Sequence, residues 1–108
     1  MVQLFNHEEI NDFLVQSIHN VLPKSRAQIQ GEIDVTRKFL ENFCGDNPRF
    51  IARGFSVAGD FEGQISDGYR FPYGQVCIIT PFNFPIEIPV LQLMGALITG
   101  NKVLIKAD

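Results

Sequence analysis

The sequence predicts an α/β fold: N-terminal helices, then a β-hairpin, then a strand–helix–strand unit of the doubly wound kind. Three observations predict it. Apolar residues recur every three to four positions through residues 6–43, as one face of a helix requires. Between residues 50 and 72 that period is lost and glycine turn signals take its place. From residue 76 onward, two short apolar runs flank a longer apolar stretch, the pattern of two parallel strands joined by a crossover helix.

The first helix is expected over residues 6–22, with Ile10, Phe13, Leu14, Ile18, Val21 and Leu22 as its apolar stripe. Asn6 and Glu9 have the spacing of a capping box. Pro23 ends the helix, because proline cannot supply the N–H that the next turn needs. A second helix is expected from Ser25 to Phe43. Its stripe is Ile29, Ile33, Thr36, Leu40 and Phe43, and Gly45 follows as a C-terminal stop. Phe50–Arg53 and Phe55–Ala58 read as extended. Gly59-Asp60 and Glu62-Gly63 read as a turn region, and Ile65–Phe71 as the returning hairpin arm.

Val76-Cys77-Ile78-Ile79 suits a strand buried on both faces. Pro81–Pro85 is a turn. Residues 86–99 form a helix with Pro85 near its first position, where a missing N–H costs nothing. Ile88, Leu91, Met94, Ala96 and Leu97 leave it almost no polar face, so it should be buried against a sheet. Gly100-Asn101 ends it, and Val103-Leu104-Ile105 is the second strand. The organisation is then 1–49 helical, 50–72 hairpin arms, and 73–108 the start of the strand–helix–strand unit. Sheets of this kind bind ligands at the carboxyl ends of their strands, here the Thr80–Phe84 turn and Lys106.

Composition narrows the function classes. The chain has 108 residues, 45% of them hydrophobic, and a net charge of -3. One modest domain fits, and a two-domain enzyme does not. No stripe of Lys and Arg is present, which argues against nucleic acid as a partner. The apolar run Val76–Ile98 contains Pro81, Pro85, Pro89, Asn83, Glu87 and Gln92, which argues against a membrane span. Cys44 and Cys77 have no metal or redox spacing and are expected as buried, reduced thiols rather than a disulfide or a nucleophile. No metal site is expected. The N-terminus turns acidic at Glu8-Glu9, unlike a targeting peptide, so the expectation is either a cytoplasmic chain or one whose presequence is missing.

Candidate chemistry is concentrated in the last third. No G-x-G-x-x-G dinucleotide fingerprint occurs. Gly95–Lys102 imitates a phosphate-binding P-loop, but its lysine is displaced by one residue and it lies at the wrong end of a helix. By residue type alone, Asn83 in a proline-rich turn is a turn former, bonding its side chain to the backbone. Lys106 is either a solvated strand end or a ligand contact. His7 and His19 occupy solvated helix positions.

The segment Tyr73-Gly74-Gln75-Val76-Cys77-Ile78-Ile79-Thr80-Pro81-Phe82-Asn83-Phe84-Pro85 resembles the aldehyde dehydrogenase superfamily. Gly100-Asn101-Lys102-Val103-Leu104-Ile105-Lys106 matches that family's G-N-x-V-x-x-K. Val35–Phe43, Gly68–Gly74 and Pro81–Gly95 are similar, more narrowly, to the plant pyrroline-5-carboxylate type. Phe82 in place of the commoner Trp agrees with it. The resemblance covers nearly the whole chain. It implies the first strand–helix–strand unit of a Rossmann-like cofactor domain, within an incomplete aldehyde dehydrogenase fold.

The resemblance also implies roles. Asn83 would donate its side-chain amide to the oxyanion of the thiohemiacetal. Ile79, Thr80, Pro81 and Phe82 would lie along a nicotinamide dinucleotide, NAD or NADP, with NAD the expected cofactor. Lys106 would bond the adenosine ribose hydroxyls. The implied substrate is a small-molecule aldehyde, glutamate semialdehyde, in proline catabolism in the mitochondrial matrix, and the implied parent is a homo-oligomer. The family's nucleophilic Cys and general-base Glu would lie beyond residue 108, so the chain alone is expected to be an inactive fragment. The rival expectation is a truncated, non-catalytic paralogue that acts as a subunit-interaction module.

Overall fold

The computed structural model describes residues 1–56 and 62–108. Its elements in chain order are α1 (Val2–Phe5), α2 (Glu8–Val21), α3 (Arg26–Glu41), α4 (Pro48–Ile51), β1 (Phe55–Ser56), β2 (Asp67–Gly68), β3 (Gln75–Ile79), α5 (Glu87–Ile98) and β4 (Lys102–Lys106). The α/β class and the order helices, hairpin, strand–helix–strand are as the sequence predicts.

The best-closed part is the helical one. Val15 and Ile18 of α2 meet Ile29 and Ile33 of α3, with Phe5, Leu14, Leu22 and Ile86 packed around them. Ile29 and Ile33 are 0% and 1% exposed. The expected α3 stripe is the buried one as far as Thr36 and Leu40, while Phe43 is half-buried and lies past the end of the helix. Thr36 is tolerated there because its hydroxyl donates to the Glu32 carbonyl at 2.7 Å. The α2 stripe needs correction. Phe13 and Val21 are exposed and Val15 is buried instead. Phe13 lies about 140° around the helix from Ile18, at about 100° per residue, and so faces away from α3.

Capping also differs from expectation. Asn6 and Glu9 form no capping box, and the N-cap of α2 is His7, without a side-chain bond. The box lies instead at the start of α3. Gln28 N donates to Ser25 Oγ at 3.3 Å, and Ser25 N donates to Gln28 Oε1 at 3.0 Å. Two residues satisfy two orphan N–H groups reciprocally.

Phe50-Ile51 is helical rather than extended. Pro48 sits in the first turn of α4, where its fixed φ favours the helix, and that outweighs the extended tendency of Phe50 and Ile51. Arg70 Nη1 donates to the Phe50 and Ile51 carbonyls, tying the second hairpin arm back to the end of α4. The hairpin itself is short. Phe55 pairs with Gly68 and Ser56 with Asp67, antiparallel. A Cβ on Gly68 would collide with the Phe55 ring, so the ring lies over the glycine and helps set that register. The expected extended residues Val57-Ala58 and turn Gly59-Asp60 lie outside the described residues.

β3 and β4 pair in parallel, in the register Gln75↔Lys102 through Ile79↔Lys106. α5 packs on both strands and on α3. Gly100, at φ 87°, turns the chain out of α5, which a side chain would resist. Asn101 then fastens the corner. Its Nδ2 donates to the Ala96 carbonyl and its Oδ1 accepts from Gly74 N.

Two burial expectations fail here. β3 is not buried on both faces, and Cys77 is exposed, as is Cys44. Among the described residues one helix covers this two-stranded sheet, so burial alternates: Ile78 is buried while Gln75, Cys77 and Ile79 are open. For the same reason no residue of α5 is fully buried. The radius of gyration, 18.8 Å, exceeds the roughly 13 Å of a compact chain of this length, and the long dimension is 65 Å.

Candidate functional site

The site begins where β3 ends. Ile79 lies opposite Lys106, and Thr80 N continues the ladder by donating to the Lys106 carbonyl at 3.1 Å. Three of the residues singled out in the sequence are thus brought together at the carboxyl ends of two parallel strands. Thr80 is 4% exposed and forms the floor. Ile79 is 72% exposed, and Lys106 is open to solvent. Among the described residues the Lys106 ammonium has no ion-pair partner, so it is free to meet a ligand.

Pro81, Phe82 and Asn83 carry the chain from that ladder across the turn. Phe82 is 62% exposed. The Asn83 side chain is exposed and makes no hydrogen bond with any other described residue. The turn is therefore not held by an asparagine-to-backbone bond of the kind its sequence suggests.

What holds the turn comes from α3. Glu32 is 3% exposed. Its Oε1 accepts from Ile86 N at 3.1 Å and from Glu87 N at 3.3 Å, at the start of α5. Its Oε2 accepts from Lys24 Nζ at 2.9 Å. Lys24 Nζ also stands 3.9 Å from the centroid of the Phe84 ring. The N-cap residue of α5, Ile86, has no side chain able to accept. A carboxylate there is favourable, because two orphan N–H groups and the positive end of the helix dipole both face it.

Glu32 and Lys24 escaped the sequence analysis. Their partners are separated by 54 and 55 residues in one case and 60 in the other. The available signal was a carboxylate set among Ile29, Ile33 and Thr36 on the buried stripe of α3. Cys77 and Cys44 stand apart from this cluster: Cys77 pairs with Leu104 in the sheet, and Cys44 Sγ contacts the Leu40 carbonyl. No group of three His, Cys, Asp or Glu side chains among the described residues is placed to hold a metal ion. No described helix is long and apolar enough to cross a membrane.

Comparison with known proteins identifies the family. The sequence pattern of the aldehyde dehydrogenase family matches residues 5–108. The mitochondrial delta-1-pyrroline-5-carboxylate dehydrogenase of Arabidopsis thaliana is 61% identical over 100 residues, covering 93% of this chain and 18% of that protein. A probable aldehyde dehydrogenase of Linum usitatissimum is 58% identical with the same coverage. Among solved structures, an NADP-dependent enzyme of E. coli superposes with a TM-score of 0.85 at 24% identity, over 99% of this chain and 21% of its own. The NADP-dependent glyceraldehyde-3-phosphate dehydrogenase of Bacillus halodurans, complexed with NADP, superposes with a TM-score of 0.77 at 27% identity, over 96% of this chain and 22% of its own. The chain spans about a fifth of the length of these relatives. The family match over nearly every residue, and a fold shared with solved dehydrogenases, together establish that the chain belongs to the aldehyde dehydrogenase family.

Proposed function

We propose that this chain is the amino-terminal portion of an NAD(P)-dependent aldehyde dehydrogenase that oxidises glutamate semialdehyde, the open form of pyrroline-5-carboxylate, to glutamate. The carrying observation is the Asn83 side chain: exposed, without a partner among the described residues, and mounted on a turn anchored from elsewhere. An amide donor held this way suits a negative oxygen that develops only during reaction. The substrate class is supported by 61% identity to the Arabidopsis enzyme and by Phe82.

The residues fit a dinucleotide along its flanks. The exposed Ile79, Pro81 and Phe82 and the free Lys106 ammonium lie on the carboxyl-end side of the parallel pair. The start of α5 does not suit a pyrophosphate, because the Glu32 carboxylate bonds the Ile86 and Glu87 N–H groups and places a negative charge there. That agrees with the lack of a glycine-rich fingerprint. When bound, the nicotinamide supplies the hydride acceptor. In this reading Lys106 bonds ribose hydroxyls, Ile79–Phe82 line the dinucleotide, and Asn83 donates to the substrate oxygen. The thiolate comes from a cysteine other than Cys44 and Cys77, in another part of the subunit. The 108 residues alone are then inactive. A mitochondrial matrix location and a homo-oligomeric subunit belong to the same proposal. The former is supported by the name of the Arabidopsis relative, the latter by the exposed Phe55, Tyr69 and Phe71 of the hairpin region.

The experiment is Asn83→Ala in the full-length enzyme carrying these residues. Turnover should fall roughly 10²–10³-fold with little change in cofactor KM. Lys106→Ala should instead raise cofactor KM. An Asn83→Ala enzyme that keeps most of its turnover overturns the assignment. A subunit whose open reading frame ends at Asp108, and which joins full-length subunits without turnover, would establish the interaction-module alternative.

A further inference from the structure

We propose that Glu32 is a positioning residue: it sets where the Asn83 amide stands by fixing the far end of the turn that carries it. This inference rests on the oxyanion role of Asn83 given above.

The turn is pinned at two points. At its start, Thr80 N is bonded to the Lys106 carbonyl. At its end, the N–H groups of Ile86 and Glu87 are bonded to one Glu32 oxygen. Asn83 lies midway, three residues from Thr80 and three from Ile86. Between them the Phe84 ring faces the Lys24 ammonium, which the second Glu32 oxygen holds. Ile86 also packs on the α2–α3 core, but the polar constraints on the turn after Thr80 run through Glu32 or its ion-pair partner.

A simple helix cap would not require this arrangement. A Ser, Thr, Asp or Asn at position 86 would cap the helix locally and near solvent through the Ile88 N–H, leaving those of Ile86 and Glu87 to other partners. Here a carboxylate is taken almost fully out of water, which is costly unless its oxygens are all bonded. They are, by two backbone donors and one lysine. What the distant carboxylate adds is a fixed separation between α3 and the turn. α3 is the best anchor available, since Ile29 and Ile33 on either side of Glu32 are the most deeply buried apolar residues described. A donor aimed at a transition state gains from such rigidity, because a displacement of about 1 Å can lower a rate on the order of 10²-fold.

The test uses the full-length enzyme carrying these residues, with Glu32→Ala, Glu32→Gln and Asn83→Ala prepared side by side. Glu32→Ala should lower kcat roughly 10- to 100-fold while cofactor KM stays within about twofold. It should also speed amide exchange in the peptide spanning Phe84–Glu87. Glu32→Gln keeps an oxygen for both N–H groups and gives up the ion pair, so exchange should stay slow and kcat should recover to within roughly threefold of the parent. A kcat loss that glutamine fails to rescue, or a loss matched by an equal rise in cofactor KM, overturns the proposal. A Glu32→Ala enzyme with parental turnover beside a crippled Asn83→Ala enzyme sinks the positioning role alone. If Asn83→Ala keeps its turnover, the oxyanion assignment falls first and takes the positioning role with it.

Discussion

The β3–α5–β4 unit is built from more apolar stretches than the α2–α3 pair, yet it is the unit that stays open. The helix pair closes: Ile29, Ile33 and Leu40 are at most 2% exposed. The strand unit stays open: Ile79 is 72% exposed and Leu104 71%. Two amphipathic helices need only each other to hide their stripes. A parallel pair of strands needs cover on both faces and partners on both edges. The side chains proposed for function sit on the open unit, but the turn that carries Asn83 takes its order from the closed one through Glu32. The surface proposed to react is thus exposed, while the turn on it is tied to a well-packed neighbour.

Substitutions can sharpen or break this contrast, and urea unfolding of the 108-residue chain followed by helical circular dichroism reads them. Ile29→Ala and Ile33→Ala should each cost about 2–5 kcal/mol, because neither site can collapse around the lost methylenes. Leu104→Ala should cost well under about 1 kcal/mol, since that side chain is already in water. Equal costs at Ile33 and Leu104 would erase the distinction between the two regions. Lys24→Met leaves the buried Glu32 carboxylate with backbone donors only, at about 2 kcal/mol. A neutral outcome would mean that the ion pair adds nothing to the link between regions. Thr36→Val should change stability by about 1 kcal/mol or less, because the methyl refills the space and the Glu32 carbonyl keeps its helical role. Arg49→Ala should fall inside about 0.5 kcal/mol, its pair with Asp46 being almost wholly solvated.

The open face makes a separate prediction of smaller thermodynamic size but plain consequence. The isolated 108-residue chain should self-associate through the sheet, and Leu104→Glu should shift its sedimentation toward monomer without lowering the urea midpoint. Association unchanged by Leu104→Glu would place the sticky surface elsewhere, with the exposed Phe55, Tyr69 and Phe71 as the next site to change.

Local signals carried much of the architecture. Pro23 ended α2, the three-to-four spacing of Ile29, Ile33, Thr36 and Leu40 marked the buried side of α3, and Gly100-Asn101 closed α5. The family was legible too, because the Thr80–Pro85 turn and the strand ending in Lys106 are contiguous motifs whose chemistry sits on neighbouring residues. Other features failed for reasons of competition. Asn6 and Glu9 had the spacing of a cap, but α2 begins at Glu8, after the α1 turn. Phe50 and Ile51 had strand composition, but Pro48 started a helical turn.

By itself, then, the sequence determined the two long N-terminal helices and the strand–helix–strand unit, where the Asn83 turn falls and which family it marks, since period, proline and glycine act within a few residues. Tertiary structure decided which apolar residues outside the α3 stripe are covered and what steadies the turn. Phe13 and Cys77 are open because burial depends on what packs opposite. Glu32 meets Ile86 and Glu87 because α3 folds against α5, across more than fifty residues of chain, and no local pattern records such a meeting.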